Sequence, residues 1–230
     1  MSKAVQLCAA SMLALAGGAL AQPAAAATFF FTDTPYRSEA DIPAGFYAGG
    51  GAPTLLENFE DGSLDASLSA SAGSVLNPGG LTDSVDADDG LINGSGTAGR
   101  SWFSGAGSSG VTFTFKGAVL PTAFGIVWTD SGFGASVTFR ATAGDGSLLG
   151  SITRSGFSDN SNSGTTLEDR FFGVTFAGGI KSVFISNSSG GIEVDHVQYG
   201  AMSTPVPLPA AGWLMLTGLA GLVVRRRSRH

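Results

Sequence analysis

Cysteine is all but missing. The single one, Cys8, lies in an apolar stretch near the start of the chain. With no second cysteine there is no intrachain disulfide, and beyond residue 27 there is no thiolate metal site and no cysteine nucleophile. An oxidising compartment is compatible with this composition without being required by it. Histidine is nearly as scarce, with only His196 and His230. A histidine metal centre would lack partners. A Ser-His-Asp triad would have to use His196, and no Gly-x-Ser-x-Gly elbow accompanies it. A packed or hydrogen-bonded histidine is the plainer reading. Basic residues are few as well. Residues 28–204 hold seven (Arg37, Arg100, Lys116, Arg140, Arg154, Arg170 and Lys181) against all 18 acidic residues of the chain, a net charge of about −11. That excludes a nucleic-acid partner, since phosphate binding needs clustered Lys and Arg. It favours solubility or cation binding. No amphipathic helical period of useful length occurs in 28–204, and no internal repeat.

Long apolar runs are confined to the two ends. Residues 204–230 read TPVPLPAAGWLMLTGLAGLVVRRRSRH. A Pro-rich break is followed by an almost uncharged run and then by Arg225, Arg226, Arg227 and Arg229. Proline disfavours helix before the run, which can then start afresh. Residues 206–224 are long enough to cross a bilayer core, which takes roughly 17–25 residues. The arginines place that end on the cytoplasmic side, and Trp213 suits an interfacial belt. A buried C-terminal helix is the alternative, but it would set four arginines beside a core.

This tail resembles the PEP-CTERM sorting signal. Val206, Pro207, Leu208, Pro209 and Ala210 are similar to its VPLPA variant, and Arg225, Arg226 and Arg227 match its basic end. The resemblance implies an exported bacterial protein. It also implies an exosortase partner, a membrane enzyme with a cysteine nucleophile, that cuts near the proline motif and releases or re-anchors the ectodomain. The front end agrees. Lys3, an apolar segment over 7–20 and the small residues Ala25, Ala26 and Ala27 form a signal peptide, with signal peptidase cutting after Ala27. Leu7 precedes Cys8 where a lipoprotein site wants a small residue. The expected route is transient anchoring in the inner membrane with the ectodomain in the periplasm, then the cell surface or the medium.

Between these ends, Gly and Phe are abundant (35 and 16 residues) and apolar residues come in short alternating runs. Such runs, separated by turn signals such as Gly144-Asp145-Gly146, predict an all-β fold. Strands are expected over 28–32, 54–59, 64–75, 111–115, 124–129, 136–142, 148–153, 171–176, 181–186 and 192–199. Residues 35–53 and 77–109 read as loops. The expected architecture is an antiparallel jelly-roll-like β-sandwich, with an N-terminal signal helix and one C-terminal transmembrane helix. The divisions are a signal peptide (1–27), a strand and Gly/Pro-rich loop (28–53), the ectodomain (54–203) and the sorting tail (204–230). Four stretches of the ectodomain, Glu57-Asn58-Phe59-Glu60-Asp61-Gly62, Gly125-Ile126-Val127-Trp128-Thr129-Asp130, Glu168-Asp169-Arg170-Phe171-Phe172-Gly173 and the segment from Gly191 to Gly200, are similar to ectodomains of other exported PEP-CTERM proteins. That likeness implies a sandwich and no particular activity. More loosely, acidic first and last strands resemble carbohydrate-binding jelly rolls that hold a structural calcium.

Two acidic groups are calcium candidates, because Ca²⁺ takes six to eight oxygen ligands. Asp83, Asp86, Asp88 and Asp89 fall within seven residues in a Gly-flanked loop, without an EF-hand's closing Glu. The same pattern also reads as a solvated acidic loop. The second group joins Glu57, Glu60 and Asp61 to Glu193 and Asp195. Strand alternation puts Glu193 and Asp195 on one face with Val197 and Tyr199. If the first and last strands adjoin, these carboxylates meet at an ion; otherwise they are exposed and paired with Arg170 or Lys181. Gly105 to Gly110 has dinucleotide-loop spacing but precedes a strand instead of a helix, so it is a glycine-rich loop. Trp102 and Phe103, set between Gly-rich stretches, are candidates for stacking on a sugar, and core filling is their alternative. The expected function is a non-enzymatic binding or structural module of the envelope or extracellular matrix, associated with exopolysaccharide or biofilm. A glycan-active hydrolase or lyase on the same scaffold is the alternative, and no carboxylate pair marks it.

Overall fold

In the computed structural model the described residues are 26–47, 55–79, 82–85, 99–130, 136–158, 160 and 166–200. Residues 1–25 of the expected signal peptide, the sorting tail with its span over 206–224, and Asp86, Asp88 and Asp89 lie outside them. Among the described residues no helix is long and apolar enough to cross a membrane.

The chain is all-β. In order the strands are β1 (Thr28–Phe31), β2 (Leu55–Glu57), β3 (Leu68–Ala70), β4 (Ser74–Val75), β5 (Trp102–Ser104), β6 (Val111–Phe115), β7 (Ala123–Asp130), β8 (Ser136–Ala143), β9 (Leu148–Ser155), β10 (Arg170–Thr175), β11 (Ile180–Asn187) and β12 (Ile192–Gly200). They pair antiparallel into two sheets. The first runs β1-β10-β7-β12-β5-β4, with β2 also pairing with β12; the second runs β3-β6-β11-β8-β9. From β5 onward the chain crosses between the sheets at every step except the β8–β9 hairpin, so that β10-β7-β12-β5 packs against β6-β11-β8-β9.

The core lies between the sheets. Phe113, Phe115, Val137, Phe139, Val183 and Ile185 reach it from the second sheet, and Phe124, Ile126, Trp128, Phe172, Val174, Ile192 and Val194 from the first. The second sheet has one wet face, so alternation is clean there: buried and half-buried residues take turns through β6 and along most of β8. The central strands of the first sheet differ. β10 is buried at every position, and β7 and β12 at all but their last. Both faces of that sheet are covered, the inner by the core and the outer by the N-terminal segment.

Two expected elements change. The run over 64–75 is not one strand. Ser71 to Gly73 interrupts it, and Gly73 adopts φ +98°, a left-handed conformation suited to glycine. β3 thus joins the second sheet and β4 the first. The stretch 77–109 is not all loop, because β5 within it pairs with β12 and β4.

Candidate functional site

The outer face of the first sheet is roofed by residues 32–47 and 82–85. Over part of that face the contact is apolar: Tyr36, Ile42, Phe46 and Val85 pack on Ala123, Val127 and Phe171. Phe46 meets Phe171, Tyr47 and Phe30 with ring centroids 4.9, 5.0 and 5.6 Å apart, all edge-on. Its floor is a pair of cross-strand glycines, Gly125 and Gly173. A Cβ on Gly125 would stand 2.5 Å from the Phe171 ring, and one on Gly173 2.9 Å from the Phe46 ring. No side chain larger than hydrogen leaves room for these rings.

The rest of the contact is polar and just as buried. Glu193, Asp195, Asp83, Glu168 and Asp169 are all buried to 2% exposure or less. Glu193 Oε1 accepts the backbone N–H of Asp83 at 2.9 Å and the Ser101 hydroxyl. Asp195 Oδ2 accepts the Ser84 hydroxyl at 2.8 Å and the Val85 N–H at 3.0 Å. These bonds tie the 83–85 strap to the last strand. Burial pushes the Glu193 carboxyl up to about 7, against the lowering effect of the Ser101 and Asp83 donors. Burial raises Asp169 well above the ordinary carboxylate range, and the neighbouring charges of Asp83, Glu168 and Asp195 add to the rise. Gln198 closes the row by accepting the Tyr47 hydroxyl and donating to the Tyr36 hydroxyl at 3.3 Å. Burial also raises both tyrosines.

The strand-face reading of Glu193 and Asp195 needs correction. Val197 and Tyr199 belong to the inter-sheet core, while Glu193 and Asp195 face the strap. The cause is a register shift between Asp195 and Gln198, where His196 takes φ +44°. A non-glycine residue at such a φ costs roughly 1–3 kcal/mol. One bulged residue moves all later side chains to the other face. Asp195 Oδ1 supports the bulge by accepting the His196 N–H at 2.6 Å. The His196 ring is buried edge-on to Tyr36.

The two acidic groups expected from the sequence are partly merged and partly split. Asp83, from the first, joins Glu193 and Asp195, from the second. Glu57 does not. It is the cross-strand partner of Val197, so its side chain leaves on the other side of the bulge. Its carboxylate accepts the N–H groups of Phe59, at 2.7 Å, and Asp65, and thereby fastens the 58–65 turn. Glu60 instead accepts the Arg100 N–H at 2.5 Å, and Asp61 binds Ser63. Among the described residues no three His, Cys, Asp or Glu side chains stand close enough together to hold a metal ion. Asp169 and Thr129 were not singled out as site residues. Both lie in stretches that carry the likeness to other ectodomains, and residue order there does not reveal burial.

Trp102 is a core residue, not a stacking platform. It is 8% exposed, its ring packs against Phe59 and Phe113, and its Nε1–H donates to the Ala72 carbonyl at 3.2 Å. β5 places Trp102 inward and Phe103 outward, half-buried beside Gly191. A concavity of about 270 Å³ opens at the end of the sandwich, between Leu55, Phe115, Val119, Leu120, Pro121 and Tyr199. Leu55 and Val119 are exposed at its rim. The Tyr199 hydroxyl lies 2.9 Å from the Ser67 hydroxyl.

No protein-family model matches the chain, and no curated protein does. Among solved structures the chain is similar to the K2 cleaved adhesin domain of Lys-gingipain, at 17% identity and TM-score 0.42, over 63% of this chain and 98% of that one. It is also similar to a family 6 carbohydrate-binding module, at 16% identity and TM-score 0.34, over 64% and 93%. A third likeness is to the enzymatically active domain of bacteriophage CBA120 tailspike protein 4, at 16% and 0.34, over 62% of this chain and 20% of that one. The assignment of two antiparallel sheets rests on the chain's own strand pairing.

Proposed function

We propose that this chain is an exported, exosortase-sorted protein of the envelope or extracellular matrix. Its jelly-roll-type sandwich would act as a non-catalytic binding or structural module for exopolysaccharide. The strand order β10-β7-β12-β5 over β6-β11-β8-β9 supports the jelly roll, since two interleaved Greek keys generate that arrangement. The signal segment and the Val206-Pro207-Leu208-Pro209-Ala210 tail support export and sorting.

One observation carries the non-catalytic reading. The carboxylates that gather in this fold are buried beneath the N-terminal segment and the 82–85 strap, while the open concavity is lined by apolar groups. A hydrolase needs its acid and base in contact with substrate. A binding module needs only an accessible face, and the rim of Leu55, Val119 and Leu120 is one. The test is co-sedimentation of the purified protein with the producing cell's own exopolysaccharide. Saturable pelleting, without release of reducing ends, is expected. Turnover of the polymer, or the absence of pelleting, would overturn the reading. The sorting proposal has a separate check: the mature protein from producing cells should lack Arg225 to Arg229 by intact mass.

A further inference from the structure

We infer that the buried acidic patch beneath the covering segments of the first sheet binds a calcium ion, with the carboxylates of Asp169 and Asp83 and the hydroxyl of Thr129 among its ligands. The inference is independent of whatever the module binds outside. It starts from Asp169. This side chain is fully buried, and neither carboxylate oxygen has a hydrogen-bond partner. A buried carboxylate with no donor is among the costliest groups a fold can carry, unless it is neutralised or ligates an ion. Thr129 Oγ1 is also buried without a partner.

The register brings the two together. Arg170 pairs with Trp128, so one step further Asp169 stands beside Thr129. Trp128 points into the core and Val127 to the outer face, and Thr129 is the residue of β7 skipped where the pairing with β12 shifts, between Glu193–Asp130 and Val194–Trp128. On Thr129's other flank runs β12, whose Glu193 pairs with Asp130 and whose Asp195 pairs with Val127. Asp83 lies overhead on its strap, and its charge is the one that weighs most on Asp169. The Arg170 charge opposes the rise of Asp169 only in part, and burial together with the neighbouring acids outweighs it. Arg170 lies over the Phe157 ring, 5.4 Å from its centroid, and spends its Nη1 on the carbonyls of Leu167 and Asp169.

The donors are hard oxygens with no thiolate, which suits calcium over the softer transition metals. A calcium shell does not require three carboxylates. Two of them, with a hydroxyl, backbone carbonyls and water, complete it. That agrees with the absence of any three-acid cluster among the described residues. Glu193 and Asp195 then have a positioning role, since their acceptor oxygens hold the strap that carries Asp83.

The competing state is a protonated pocket with no ion, and the two differ in a direct measurement. Chelator-treated full-length protein is titrated with CaCl₂ by calorimetry, and its thermal midpoint is followed over the same range. One-to-one binding is expected, with a midpoint that climbs as calcium rises toward the millimolar range typical of extracellular sites, about 10⁻⁴–10⁻³ M. Asp169→Asn should weaken binding at least tenfold yet fold in chelator, because it removes a buried like charge. Thr129→Val should weaken it severalfold; it decides the matter if Asp169→Asn does not fold. Asp145→Asn, in the exposed turn between β8 and β9, should bind as the parent does. No heat and no midpoint shift at 10-fold above that range would overturn the inference. So would calcium binding that survives Asp169→Asn or Thr129→Val unchanged.

Discussion

Replacing Phe46 by Ala should destabilise the protein by about 4 kcal/mol. Truncating a buried Phe costs roughly 3–5 kcal/mol, and the value depends on how far the surroundings collapse into the space. Here they collapse little. The floor beneath the ring is Gly125 and Gly173, which have no side chains to swing inward, and the walls are the rings of Phe171, Phe30 and Tyr47. Each aromatic contact adds roughly 0.5–1.5 kcal/mol beyond the area it buries, so the upper half of the range applies. The reverse change, Gly173→Ala, overfills the same place. Its Cβ would lie 2.7 Å from the Phe171 ring and 2.9 Å from that of Phe46, and such overpacking costs roughly 1–3 kcal/mol. The two substitutions share one volume, so they should not add. In the Phe46→Ala background the cost of Gly173→Ala should fall by about 1 kcal/mol, a coupling of the size expected for residues in contact. The assay is urea unfolding followed by tryptophan fluorescence, with Trp102 and Trp128 reporting from the core. A Phe46→Ala cost below about 1 kcal/mol, or a strictly additive cycle, would refute docking of the N-terminal segment on the glycine floor.

Further outcomes are expected. In chelator, the protein should be more stable at pH 5 than at pH 8. The Glu193 carboxyl, raised to about 7 in the folded state against 4.5 for the free group, holds its proton where the unfolded chain has lost it. Its stabilising effect is complete below about 4.5 and is lost as pH rises through about 7, an effect of order 3 kcal/mol; denaturation of Glu193→Gln should show a flatter profile. Trp102→Ala should cost roughly 3–5 kcal/mol in the same unfolding assay. Any loss of polysaccharide binding by that variant should follow the loss of folded protein. Val119→Asp changes a residue that is 89% exposed, so it should leave stability within about 0.5 kcal/mol while reducing co-sedimentation several-fold.

The all-β class and the late strands could be read from residue order alone. Alternation is a local signal, and it survives where one face of a strand is wet, as in the half-buried Thr112 and Thr114 between the buried Val111, Phe113 and Phe115. It fades where both faces are covered. Gly125 and Gly173 carry no hydrophobic signal, yet they are the floor on which Phe46 rests. The split of residues 64–75 between two sheets follows from a turn at Gly73 whose partners lie far along the chain.

The acidic site shows the same division. Its abundance of carboxylates, and the suspicion that Asp83 and Asp195 matter, came from composition and spacing. Which of them meet was decided by tertiary structure. The bulge at His196 sends Asp195 outward and Val197 inward, reversing the face that simple alternation assigns. Antiparallel pairing then leaves Asp169 and Thr129 next beyond the last paired residues of adjoining strands, and the strap ties Asp83 to Glu193. Glu57, as acidic as the others, goes to a turn on the opposite side. Strand periodicity is a property of neighbours in sequence. The faces of a sheet, and the charges buried against them, depend on register and on what covers each face.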